Sequence, residues 1–176
     1  MTVVRRVSPG ESERAEAIAR LINRSYASAQ RELFAPASPR VSAESIARVI
    51  AEGELVVAER EGEVVGVVLA RDLDERTAFF GMLSVPPEAT STGVARDLLD
   101  ALEADAGGRG LDAMELDLLV PETPTPHQSR LRAWYERRGY ERVYERPFGA
   151  VEPEAATALR QPTHLVRYAK RLGHPG

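Results

Sequence analysis

Two stretches of the chain hold residue types at spacings that could do chemistry. The first runs from Val85 to Leu99, VPPEATSTGVARDLL. A hydrophobic strand ends at Pro86 and Pro87, small residues follow, and an amphipathic helix begins near Gly93. The first turn of a helix leaves backbone N–H groups unpaired, and its dipole favours negative charge. Small side chains let a phosphate reach those donors, and Thr90, Ser91 and Thr92 add hydroxyls. The stretch therefore reads either as a phosphate cradle or as an ordinary Ser/Thr-capped helix. It is not a P-loop, because no Gly-Lys-Ser/Thr follows, and it lacks the three-glycine dinucleotide fingerprint. The second stretch runs from Leu131 to Val143, LRAWYERRGYERV: a helix, a stop at Gly139 and an aromatic strand start. Tyr135, near the end of that helix, would donate a proton if it points into a cleft, or would pack with its hydroxyl at a rim.

Composition narrows the setting. The chain has 176 residues, 43% hydrophobic and 28% charged, enough for one compact domain over 1–176 with a sizeable core. The absence of cysteine excludes disulfides, a thiolate nucleophile and Cys-based metal sites. His127, His164 and His174 are far apart in sequence, so no metal is expected. No apolar run approaches the ~20 residues of a membrane span. The opening MTVVRRVSPGESE lacks the apolar core of a secretory signal, so the expected location is cytoplasmic, without a membrane partner. The 23 basic and 27 acidic residues sum to −4, which speaks weakly against nucleic acid as a partner. Residues 85–129 carry 2 basic and 9 acidic groups, and residues 130–176 carry 10 and 5. Either folding brings these segments together so that their fields partly cancel, or the basic one helps hold an anionic ligand.

The elements that must position the two stretches come from periodicity and turn signals. A strand over 3–7 is closed by Ser8, Pro9 and Gly10; a helix over 11–28 places Ile18, Leu21, Ile22 and Tyr26 at helical spacing. A second helix starts at Ser42 as N-cap and stops at Gly53. Strands over 54–60 and 64–71 make a hairpin around Glu61, Gly62 and Glu63, and a third strand spans 77–85. Helices over 93–106 and 128–138 bracket an alternating strand at 114–120. Final strands fall at 140–146 and 165–170, with a helical turn at 153–159; loops are expected at 34–41 and 121–128. The order β-α-α-β-β-β-α-β-α-β-β predicts an α/β (α+β) class: a mixed, mostly antiparallel central sheet of about seven strands flanked by about four helices.

In this order and about forty residues apart, the two stretches resemble the GNAT superfamily of acetyl-CoA-dependent N-acyltransferases. The family's cofactor loop, Gln/Arg-x-x-Gly-x-Gly/Ala after a "V-x-P" turn, matches Thr90, Ser91, Thr92, Gly93, Val94 and Ala95 after Val85-Pro86-Pro87. Its later motif, Asn-x-x-Ala-x-x-Leu-Tyr-x-x-x-Gly-Phe/Tyr, matches Gln128 through Trp134, Tyr135, Gly139 and Tyr140. The chain departs from the pattern at Thr90, Ser91 and Gln128, and keeps Gly93 and Ala95. The ending from Pro162 to Leu172 looks like the last strand of bacterial members.

The resemblance implies a GNAT-like fold and an N-acetyltransferase that moves an acetyl group from acetyl-CoA to a primary amine of a small molecule or peptide. It places the pyrophosphate on the N–H groups of Ser91 to Arg96 and the pantetheine arm along Leu83, Ser84 and Val85. It also implies that Thr90 and Gln128 lie at the cofactor and that Tyr135 protonates the departing thiolate. The acceptor amine attacks directly, so no thiol nucleophile is needed. GNATs often use a carboxylate, through water, to take the amine's proton; Glu115, Asp117 and Glu32 are the carboxylates considered, Glu88 lies too close to the loop to suit the role, and the loop residue His127 is read either as solvent-exposed or as part of the acceptor site. Dimers are common in the family, so a homodimer is an expectation with no interface legible in the sequence. A non-catalytic acyl-CoA-binding module and a transferase for another acyl-CoA are the alternatives.

Overall fold

The computed structural model describes residues 1–36 and 39–173; Ala37 and Ser38 of the predicted 34–41 loop, and His174, lie outside them. Strand β1 (Val3–Arg6) leads through a 3-10 turn at Ser12–Arg14 into helices α1 (Ala15–Ala29) and α2 (Ala43–Ala51). Strands β2 (Leu55–Arg60), β3 (Glu63–Asp72) and β4 (Thr77–Ser84) follow as a meander. A 3-10 turn at Pro87–Ala89 precedes helix α3 (Val94–Gly108), then strand β5 (Ala113–Pro121), helix α4 (Pro126–Arg137) and strand β6 (Glu141–Pro147). Two four-residue helices, α5 (Phe148–Val151) and α6 (Pro153–Ala156), lead into β7 (Thr163–Arg171).

The seven strands form one sheet in the order β1-β2-β3-β4-β5-β7-β6. Every pairing is antiparallel except that of β4 with β5. The predicted class and element order are observed. One connection differs: the single helical turn expected at 153–159 is two short helices broken at Glu152. Pro153 has no N–H to donate and pushes its predecessor out of helical geometry, and Glu152 sits at φ −127°, ψ 70°.

Local chemistry explains the joints near the two sequence stretches. Glu61 and Gly62 both take positive φ, 52° and 84°, which makes the mirror-image turn whose twist suits a two-residue hairpin. Helix α4 starts two residues earlier than expected. Thr125 caps it by accepting from the N–H of Gln128, and Pro126 fills the first position, where an N–H is not needed.

Alternate residues of each strand face opposite sides of the sheet. One side buries Leu55, Val57 and Val67 under Ile18, Ile22, Ile46 and Ile50 of α1 and α2. The other buries Val68, Phe80, Met114 and Leu116 under Leu98, Leu99 and Leu102 of α3 and Tyr135 of α4. The basic C-terminal segment meets the acidic middle one. Arg138 bonds Asp100 at 2.7 Å, Lys170 bonds Glu103 at 2.6 Å, and Arg167 bonds Glu115 at 2.6 Å and Asp117 at 2.7 Å. The charge asymmetry of the sequence is thus partly cancelled within the fold. Among the described residues no helix is long and apolar enough to cross a membrane.

Candidate active site

Strands β4 and β5 start side by side and then part. Their pairing covers Thr77 to Phe79 against Ala113 to Glu115, while β4 runs on to Ser84 and β5 to Pro121. β4 also carries one extra residue against β3, because the register steps from Leu69↔Gly81 to Val67↔Ser84. The extra residue centres on Met82, whose φ is +50°. A bulge of this kind bends its strand and re-aims the residues beyond it, here Leu83 and Ser84. Ser25 of α1 secures the far end by donating its hydroxyl to the carbonyl of Val85 at 3.1 Å.

A cleft of about 620 Å³ opens beside the parting end of β4, between it, the end of α1 and α4. Leu83 and Val85 form one wall and Thr90 and Ala95 one end; Leu131, Trp134 and Tyr135 of α4 form the opposite wall. The loop after α1 contributes Arg31 and Glu32, and the start of α4 contributes His127 and Arg130.

At the end of β4 the chain presents a row of open donors. Gly93 takes φ +86° and Ser91 φ +65°, so the loop turns tightly into α3. Asp97 N–H is the first of α3 to reach back, to the carbonyl of Gly93 at 2.9 Å. Among the described residues, the N–H groups of Ser91, Gly93, Val94, Ala95 and Arg96 have no intramolecular acceptor. The threonine hydroxyls expected to add donors are directed elsewhere: Thr92 donates to the carbonyl of Ala89 at 2.6 Å and Thr90 to that of Pro86 at 3.4 Å. The Ser91 side chain is exposed without a partner among the described residues. Arg96 pairs with Asp97 at 3.1 Å.

Tyr135 is 4% exposed, with its ring 5.8 to 6.0 Å from those of Tyr140 and Phe80 and 5.0 Å from that of Trp134. The ring packs in the core, and the residue also lines the cleft. Burial raises its pKa well above the ordinary value, with Tyr26 adding to the effect and Arg138 opposing it. The phenol keeps its proton throughout the neutral range.

Of the other residues singled out in the sequence, Leu83, Val85, Thr90 and Ala95 line the cleft. Ser84 is fully buried and its hydroxyl donates to the carbonyl of Met82 at 3.0 Å. Val94 is a core residue. Gln128 is not brought to the cleft wall: its amide oxygen accepts from the hydroxyl of Thr125 in the cap of α4. The proton-accepting groups divide in the same way. Asp117 lies among Arg167 and Arg146; burial raises its pKa, but those guanidiniums outweigh it and hold the carboxyl below the usual range. Glu115 bonds Arg167, and Glu88 bonds Arg24 at 3.0 Å. Glu32 and His127 remain on the cleft. Burial lowers the pKa of His127, Arg130 lowers it further and Glu32 opposes, so the neutral imidazole is favoured.

Three participants were missed in the sequence. Gly66 in β3 lies under the start of α3, so close that a Cβ there would sit 2.5 Å from Val94 Cγ1. An isolated glycine inside a strand was the available signal. Arg60, which donates to the carbonyl of Thr92 at 2.9 Å and steadies the loop, and the Met82 bulge carried no signal in the sequence.

Residues 16–140 match the profile of the acetyltransferase (GNAT) family. The chain belongs to that family. A search of curated proteins by sequence yields no match. Among solved structures, this GNAT chain is similar to the PaiA N-acetyltransferase of Thermoplasma acidophilum in complex with coenzyme A, with TM-score 0.74 and 14% identity over 97% of this chain and 99% of that one. It is also similar to an aminoglycoside 6'-N-acetyltransferase complexed with coenzyme A, with TM-score 0.71 and 16% identity over 99% of each. A third is the ribosomal-protein-S18-alanine N-acetyltransferase of Escherichia coli, with TM-score 0.66 and 16% identity over 100% and 97%. At these identities the likeness establishes the GNAT fold; the acceptors in those names differ from one another and belong to those proteins.

Proposed function

We propose that this GNAT protein is an acetyl-CoA-dependent N-acetyltransferase that acts on a primary amine of a small molecule or peptide. The observation that carries the reading is the cleft beside the parting end of β4, which has open N–H groups at one end and Tyr135 in its wall. The N–H groups of Ser91 and Gly93 to Arg96 suit a pyrophosphate, because they are unpaired donors at the positive end of α3. The β4 edge at Leu83, Ser84 and Val85 suits an extended amide-bearing arm laid along it as an added strand. Thr90 closes the phosphate end of the cleft. The donor is a substrate, and the chemistry it supplies is an acyl carbon that a thiolate can leave.

The protein's part is positioning and proton management. The acceptor nitrogen forms its bond to the acyl carbon as the carbon–sulfur bond breaks. The departing sulfur takes the proton of the Tyr135 hydroxyl, and the nitrogen gives one up. His127, neutral and on the cleft, is suited to receive that proton. The rate should therefore fall on the acid side as His127 becomes charged. The midpoint of that limb in kcat is expected below ~6.5, the ordinary histidine value, because burial and Arg130 depress it. His127→Gln should remove the limb; a limb unchanged in the variant assigns it to another group.

Donor binding is tested by thermal unfolding. At a hundredfold excess over Kd, a ligand specific for the folded state adds about 2.7 kcal/mol. For a chain of this length that raises Tm by roughly 5–10 °C. Acetyl-CoA should produce this shift, and millimolar acetyl-CoA with no shift would overturn the proposal. Turnover with an amine then separates an enzyme from a binding module, and competition with propionyl- and succinyl-CoA fixes the acyl group.

A further inference from the structure

The mouth of the cleft holds two guanidiniums that the fold does not use. Arg31 stands on the loop after α1 and Arg130 on the first turns of α4, and both line the cleft. Neither makes an ion pair, a hydrogen bond or a ring contact among the described residues. Other arginines nearby are engaged: Arg24 with Glu88, Arg132 with Glu136, Arg138 with Asp100 and Glu103, and Arg40 over the ring of Tyr26. Glu32, next in the chain and on the same cleft, pairs with neither arginine. The cleft mouth therefore offers two open forks, one open carboxylate and an imidazole that favours its neutral form.

The position of Arg31 separates this cluster from the donors at the start of α3. The loop that carries it is tied to the segment leading into β7. Phe34 bridges Leu159, Ala35 N–H bonds the carbonyl of Ala158 at 2.7 Å, and Arg160 N–H bonds that of Leu33 at 2.9 Å. The open N–H groups lie instead at the end of β4, and β4 and β7 are separated in the sheet by β5. A phosphate on the α3 loop already has its donors there. Arg31 and Arg130 line the cleft together with Glu32 and His127.

We infer that the acceptor is a small amine that also carries an oxyanion, a carboxylate or a phosphonate, held by the guanidiniums of Arg31 and Arg130. The carboxylate of Glu32 faces the incoming ammonium. A guanidinium meets such an oxyanion with two parallel N–H···O bonds, which fixes orientation as well as affinity. Two unneutralised forks beside one carboxylate favour a ligand that brings an anionic group to this end as well as its amine. The inference rests on the N-acetyltransferase reading and narrows its acceptor.

The test uses the full-length protein with saturating acetyl-CoA for rates and CoA for binding. Matched amines are compared: amino acids, their carboxamides, and aminoalkylphosphonates. The acids should exceed their carboxamides by about 10- to 100-fold in kcat/KM and in affinity for the CoA-loaded protein, the range of a charge-assisted hydrogen-bonded pair. The better of the carboxylate and phosphonate series identifies the oxyanion. Arg31→Gln and Arg130→Gln should each erase most of that preference through KM of the acceptor, with the Kd of acetyl-CoA unchanged. Carboxamides bound or acetylated as well as the acids would overturn the inference. So would acids that neither bind nor react on the CoA-loaded protein, or variants that weaken acetyl-CoA instead. Failure of acetyl-CoA itself to shift Tm is a separate result and would sink the broader reading.

Discussion

Tyr135→Phe is expected to lower kcat by roughly 10²- to 10⁴-fold, the usual worth of a positioned acid, while the Kd of acetyl-CoA changes little. The ring sits among Phe80, Trp134 and Tyr140 and is 4% exposed, so phenylalanine keeps the same packing and removes one oxygen. No hydrogen bond within the protein is lost, because among the described residues the Tyr135 hydroxyl has no partner. The effect should therefore appear in kcat rather than in Tm or binding. Burial, which raises the phenol's pKa, keeps the proton in place until a strong acceptor forms beside it. A departing thiolate is such an acceptor. Steady-state rates with a reactive amine check this, and an unchanged kcat would remove Tyr135 from proton transfer.

Gly66→Ala should produce the largest stability loss and weaken donor binding with it. The new Cβ would lie 2.5 Å from Val94 Cγ1 and 3.2 Å from Leu98 Cδ1, both on α3. Val94 is β-branched and 1% exposed, so it has no other rotamer to retreat into without cost. Overpacking of this kind costs about 1–3 kcal/mol, which for a chain this long lowers Tm by roughly 2–12 °C. Because Val94 is the first residue of α3, relief of the clash shifts the helix start, and the Kd of acetyl-CoA should rise. Removing Cγ1 in the double variant Gly66→Ala/Val94→Ala should restore binding more than stability, since the second change leaves its own cavity. A Tm unchanged by Gly66→Ala would show that α3 is not held against β3 as described.

Much of this was legible in residue order. The helical spacing of Ile18 and Ile22, the alternation from Met114 to Val120 and the glycine stop after α4 are local signals. The elements they predict are observed within a few residues. The helix-opening loop was legible too, because unpaired N–H groups at a helix start depend on backbone geometry and not on distant partners. Side-chain direction was not. Thr90 and Thr92 carry hydroxyls suited to phosphate, yet carbonyls of Pro86 and Ala89 lie nearer and take them. Gln128 matches a motif position, but the capping threonine three residues before it captures its amide. Glu115 and Asp117 were candidates for a base until β7 brought Arg167 beside them.

The sequence by itself determined the elements, their order and the open helix start, since these depend on periodicity, turn chemistry and the chain's own next few residues. Only the tertiary structure decided where β4 and β5 part, that Tyr135 lines the cleft, and which charges are spent on one another. Those outcomes depend on pairings between residues tens of positions apart. Ion-pair competition illustrates the point: of the four arginines from 130 to 138, Arg132 and Arg138 find carboxylates in the fold, while Arg130 and Arg137 have no ion-pair partner among the described residues and Arg130 lines the cleft. No local pattern distinguishes them, because the distinction lies in what the folded chain places opposite each one.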